Sequence, residues 1–166
     1  MTLIESFQKE LERESSTTRK MLERVPEGKY DWKPHEKSMT LQQLATHVAE
    51  IPGWISGVLN TSEIDFASGA YQPTIVKDNT ELMHFFETKF AEGKVALTTA
   101  SDEQLKDTWT MRSGEHIFNN DTKDEVMRGV FSQVVHHRAQ LGVYLRLLDI
   151  PIPGSYGPSA DDTLGF

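Results

Sequence analysis

Apolar residues recur in this chain at intervals of three and four in four long windows, and that spacing confines it to a helical architecture. The clearest window opens at Thr40, with Gln43 three residues on in a capping-box pattern. It then carries the stripe Leu41, Leu44, Val48, Ile51, Ile55 and Val58. An earlier window runs from about Leu3 to Leu22 through Ile4, Phe7, Leu11, Met21 and Leu22, and Val25-Pro26-Glu27-Gly28 ends it. Its middle, Arg13 to Lys20, is polar, so that stretch packs less well or lies near a functional cavity. A third window starts near Asn79 and continues to about Thr99, with Leu82, Phe85, Phe86, Phe90 and Val95-Ala96-Leu97 as apolar positions. The last begins at a second capping-box pattern, Thr122 with Glu125. It runs through Val126, Val130, Val134, Leu141, Leu145 and Leu148 before Pro151.

Between these windows the signals change. Asn60 to Lys77 is rich in Ser, Thr, Asp and Gly and reads as a long connection, of a length that often covers a functional opening. Ser101 with Gln104 suggests a turn of helix. Asp107–Met111 and His116–Phe118 flank Ser113-Gly114 as a small β-hairpin would. The Pro- and Gly-rich tail from Pro151 is irregular. The pattern predicts an all-α four-helix bundle with a small β-hairpin insert before the last helix, as one domain over residues 1–166.

Composition removes several classes of function. A net charge of −8 and the absence of any basic run exclude nucleic acid and anionic membrane surfaces as main partners. No apolar run approaches the ~20 residues that cross a bilayer, and the acidic amphipathic N-terminus is not a secretory signal. There is no cysteine, which rules out disulfides and a thiolate nucleophile and suits a soluble cytoplasmic protein.

The informative residues are polar ones beside apolar faces. His47 flanks the stripe of the second helix, three residues after Leu44 and four before Ile51. Gln133 and His137 stand four apart on one face of the last helix, and Gln140 and Tyr144 continue that line. Inward-facing polar groups from two helices are how bundles build metal sites, and imidazole is the commonest protein ligand for such ions. Spacing alone favours hydrogen-bonded structural histidines over ligands, since a Gln/His pair four apart is a weak motif.

Two segments carry a resemblance. Tyr30–Trp54 (YDWKPHEKSMTLQQLATHVAEIPGW) and Val134–Asp162 (VVHHRAQLGVYLRLLDIPIPGSYGPSADD) resemble the opening and closing signatures of the DinB/YfiT-like superfamily. The resemblance implies a four-helix bundle, often a homodimer, holding a divalent metal through one histidine of helix two and an HxxxH pair of helix four. It places those ligands at His47 and His137, with Gln133 where the first member of the pair is expected. A neutral amide is a weaker donor than imidazole, so metal binding should weaken or be lost. His136 is rotated about 60° from Gln133 at ~100° per residue, which suits a surface or interface position better than a ligand. Trp54 fits a pocket wall or core packing, and Gln140 suits a hydrogen bond to a ligand. Arg138 reads as a surface ion-pair partner, His35 as an organiser of the loop before helix two, and Tyr156, Asp161 and Asp162 as a structural clasp.

The resemblance implies a zinc-, nickel- or iron-dependent hydrolase, or a transferase that uses a small-molecule thiol, on a substrate the residues do not identify. The alternative is a non-catalytic, stress-linked small-molecule-binding or interaction protein with a degraded metal site, and Gln133 is the feature that favours it.

Overall fold

The computed structural model describes residues 1–164. Among them lie four long helices: α1 (Leu3–Leu22), α2 (Leu41–Asn60), α3 (Asn79–Thr99) and α4 (Lys123–Leu147). Each starts on a side chain able to take up orphan backbone N–H groups. Thr2 with Glu5 and Thr40 with Gln43 form reciprocal capping boxes, and the Asp78 carboxylate accepts from the Glu81 N–H. At Thr122 the Glu125 carboxylate accepts from both the backbone N–H and the hydroxyl. None of the described helices is long and apolar enough to cross a membrane.

α2 packs chiefly on α3 and α4, and α1 packs on the same two, so α1 and α2 lie diagonally across the bundle. α2 and α3 come unusually close. A Cβ on Gly93 would sit 2.3 Å from the carbonyl oxygen of Pro52, so only glycine fits there.

The interior divides into two apolar clusters. One gathers Phe7, Leu11, Ile51, Ile55, Leu97, Trp109 and Phe131. The other gathers Leu22, Leu41, Leu44, Val48, Leu82, Phe86, Leu141 and Leu145. Of the two readings of the polar middle of α1, loose packing does not hold, because Glu14, Ser15 and Thr18 are buried. Arg138 is the reason. It is not a surface residue but only 1% exposed, and it donates to the Glu14 carbonyl, the Thr18 hydroxyl and the Tyr156 hydroxyl. Its guanidinium pairs with the Glu14 carboxylate at 2.7 Å, and Tyr156 donates to the same carboxylate. Val95 also departs from expectation, facing outward at 64% exposure.

The expected hairpin forms from β2 (Thr108–Ser113) and β3 (His116–Thr122), turning at Gly114, whose φ of +60° suits glycine. It gains a third strand, β1 (Glu63–Asp65), paired parallel to β2. Arg112 fastens that edge through ion pairs to Glu63 and Asp65. The tail folds back as a clasp. Asp161 pairs with Arg146 and accepts from the Ile152 N–H, and Asp162 accepts from the Gly154 N–H.

Candidate functional site

Helical and strand periodicity together build one cavity. Glu125, Gly129, Gln133 and His137 follow one another at four-residue intervals on α4, so they form a single line along it. Asn119 and Asp121 alternate on one face of β3, and Met111 is the register partner of Asn119 on β2. These residues, short of His137, join His47, Ile51 and Trp54 of α2 around a cavity of about 490 Å³. A side chain at Gly129 would have room, since a Cβ there meets no atom within 4 Å. The opening exists partly because that position carries none.

His47 and His137 meet at the edge of this cavity, with ring centroids 4.5 Å apart and planes at 78°. Each ring is held by its Nδ1. The His47 nitrogen lies 2.6 Å from the Glu50 carboxylate, and the His137 nitrogen lies 2.9 Å from the Gln140 side-chain oxygen. Both partners there are oxygens that accept, so each Nδ1 carries a proton, and in the neutral form of each ring the lone pair lies on Nε2. Burial pushes His137 below the usual histidine value, and the nearby His47 and His136 add to this against the Gln140 bond. Its neutral, ligating form therefore prevails at neutral pH.

The Glu50 oxygen that holds His47 is itself held. Tyr71, from the connection between α2 and α3, donates to it at 2.9 Å. Burial first, and the bond to Glu50 second, push the Tyr71 hydroxyl up to about 12, so it stays a donor. Trp54 forms a wall of the cavity and packs at 6.0 Å against Tyr71 and 6.4 Å against Phe66. The long connection thus lies against the site.

The other residues singled out in the sequence fall in different places. Gln133 lines the cavity but is exposed, so it belongs to the rim and not to an apolar interior. His136 is exposed, with its ring 4.8 Å from that of His137. Gln140 holds His137. Tyr144 is not on the cavity wall. Its hydroxyl donates to the Met39 carbonyl and its ring meets Trp32 edge-on. His35 accepts from the Lys37 N–H in the loop before α2. Glu50, Tyr71, Asn119 and Asp121 carry no mark in the sequence, and Glu125 reads there only as the cap of the last helix. The four-residue line from Glu125 to His137 was the one signal that pointed to any of them.

The two histidines could offer a divalent ion two imidazole donors. Two imidazoles whose Nδ1 atoms are fixed by a carboxylate and an amide oxygen are held as metal-binding histidines commonly are. Among the described residues no group of three His, Cys, Asp or Glu side chains is placed to hold a metal ion. Gln133, one helical turn before His137, lines the same cavity as His47 and carries an amide oxygen. An amide oxygen is a weaker donor than an imidazole nitrogen, which predicts weaker binding than three imidazoles give.

The architecture is a known one. Over 89% of this chain and 96% of the other, it matches the DinB-like protein YjoA of Bacillus subtilis with a TM-score of 0.69 at 17% identity. YfiT of Bacillus subtilis, described as a probable metal-dependent hydrolase with an unusual four-helix bundle topology, matches over 88% and 87% with a TM-score of 0.64 at 14% identity. A mycothiol-dependent maleylpyruvate isomerase matches over 84% of this chain and 60% of its own, with a TM-score of 0.58 at 15% identity. At these identities the likeness shows the fold. No curated protein sequence matches the chain. The model of the DinB family matches residues 2–163, nearly the whole chain, and the chain belongs to that family.

Proposed function

We propose that this protein is a divalent-metal-dependent enzyme, of the hydrolase or small-thiol-dependent transferase type, acting on a small molecule in the cavity beside His47. His47 and His137 would hold the ion, with Gln133 as the neutral third donor. The observation that carries this reading is the pair of Nδ1 hydrogen bonds that leave the Nε2 of each ring available to a ligand. A bound ion supplies Lewis-acid chemistry there. The chain's own residues do the rest. Glu50 and Gln140 fix the two rings, and Tyr71 fixes Glu50. Trp54, Ile51 and Val130 screen one side of the cavity from water. With no cysteine in the chain, any thiol must arrive as a small molecule. The descriptions of YfiT as a probable metal-dependent hydrolase and of the isomerase as mycothiol-dependent support this class of chemistry.

The exposed amide of Gln133 supports a second reading, a binding protein on the same fold whose metal site has decayed. Metal analysis of tag-free protein, before and after dialysis against a chelator, separates the two. The enzyme reading predicts near-stoichiometric zinc, nickel or iron that is lost in His47→Ala. Metal-free protein whose melting temperature ignores added divalent ions would leave only the second.

A further inference from the structure

The cavity wall opposite the histidines has a chemical character of its own. Asn119, Asp121 and Glu125 line it, and no lysine or arginine does. The Asn119 amide nitrogen donates to one Asp121 oxygen at 2.9 Å, which fixes the amide's orientation because a carboxylate only accepts. The Asn119 Oδ1 is then left buried and without a hydrogen-bond partner among the described residues. An unpaired buried carbonyl of this kind calls for an explanation, since it forgoes water and gains no bond. Glu125 spends one oxygen on Thr122 at the start of α4 and keeps the other. This end of the cavity is therefore made of acceptors: two carboxylates and one orphaned amide oxygen. The rest of the wall is apolar, with Trp54, Met111, Ile51, Val126 and Val130, and Gly129 leaves room between the two ends.

We infer that the cavity takes a small organic cation, a primary amine or guanidinium carried on an apolar or aromatic body. Its charged group donates to Asn119, Asp121 and Glu125, and its body lies along Trp54 and Met111. The end remote from the cation then faces His47 and Gln133. Charge-assisted hydrogen bonds of this kind are the strong ones, and an aromatic face beside a cation adds to them. The net charge of −8 draws cations and repels anions at long range. This inference rests on the reading of the cavity as the substrate site beside the metal ligands, and it specifies the substrate class of that site.

The test uses three probes of one shape, 2-phenylethylamine, 2-phenylethanol and 3-phenylpropionate, titrated calorimetrically into the full-length protein. Zinc is titrated in a separate arm. The amine should bind at least about tenfold more tightly than the alcohol, and the carboxylate more weakly than both. Asp121→Asn with Glu125→Gln keeps the shapes and the helix start, because glutamine also serves in a capping box. That variant should lose the preference for the amine while binding zinc like the parent. Gly129→Leu, which fills the space and removes no charge, should weaken all three probes. Equal binding of amine and alcohol, or a preference that survives in the double variant, would overturn the inference. Loss of zinc binding in His47→Ala bears on the metal reading alone. A protein that prefers the amine and takes up no zinc would sink that reading and leave the cation site standing.

Discussion

His137 and Arg138 are neighbours on α4, about 100° apart around the helix, and they serve two unlike polar regions. Arg138 points into the bundle, where Glu14, Thr18 and Tyr156 meet its guanidinium in a buried layer between the two apolar clusters. His137 points to the cavity edge, with one ring nitrogen bound and the other free. The Arg138 layer is polar and buried, and its hydrogen bonds are made within the protein, so it ties α1, α4 and the tail together. The His47–His137 pair is polar, half-buried and open on one valence each, and an open valence is what a ligand needs. Polarity inside a helical bundle is thus no sign of function until its hydrogen bonds are counted.

This contrast can be broken from either side. The largest expected effect is on stability, from Arg138→Met. It leaves the Glu14 carboxylate buried without its cation, and breaking a buried pair in this way costs about 3–5 kcal/mol. Urea unfolding should show that loss, whereas a change below about 1 kcal/mol would mean that the layer is not closed. On the other side, Glu50→Gln should barely move the unfolding midpoint but should weaken zinc binding about 10- to 100-fold, because the His47 ring loses its charged anchor. A variant that binds zinc like the parent would show that Glu50 does not orient the ligand. Tyr156→Phe should be milder, about 1 kcal/mol, since it removes one hydroxyl shared by Glu14 and Arg138 and leaves their ion pair in place.

The smallest effect concerns acid. Arg146, and next the Ile152 N–H, hold the Asp161 carboxyl below the usual carboxylate range, and the Ile4 and Leu3 N–H groups do the same for Asp102. A carboxyl lowered in the folded state stabilises it above the unfolded value near 4. That contribution is lost as pH falls through the lower folded value. Melting temperature should therefore fall as pH drops below about 4, and Asp161→Asn should flatten part of that fall. An unchanged acid limb would remove the clasp from the account of stability.

The sequence carried the helices well, and for a definite reason. Each has a three-to-four apolar stripe and a side chain able to cap its start, both local signals. β1 was not legible, because Glu63-Ile64-Asp65 holds one apolar residue and pairs with a strand over 40 residues away. Arg138 was misread for the same reason. A charged residue beside polar neighbours looks exposed until its partner Glu14, 124 residues earlier, is seen. His47, Gln133 and His137 were visible from spacing and resemblance. The residues that give the site its character, Glu50, Tyr71 and the acceptors on β3, gain meaning only once the hairpin and the long connection are brought against α2.

Convergence of His47, Gln133 and His137 on one ion can be read from a calorimetric zinc titration of chelator-stripped parent and Gln133→His protein. One ion per chain is expected in both proteins, with tighter binding once imidazole replaces the amide. Identical affinities in the two proteins, or no saturable binding in either, would contradict that convergence.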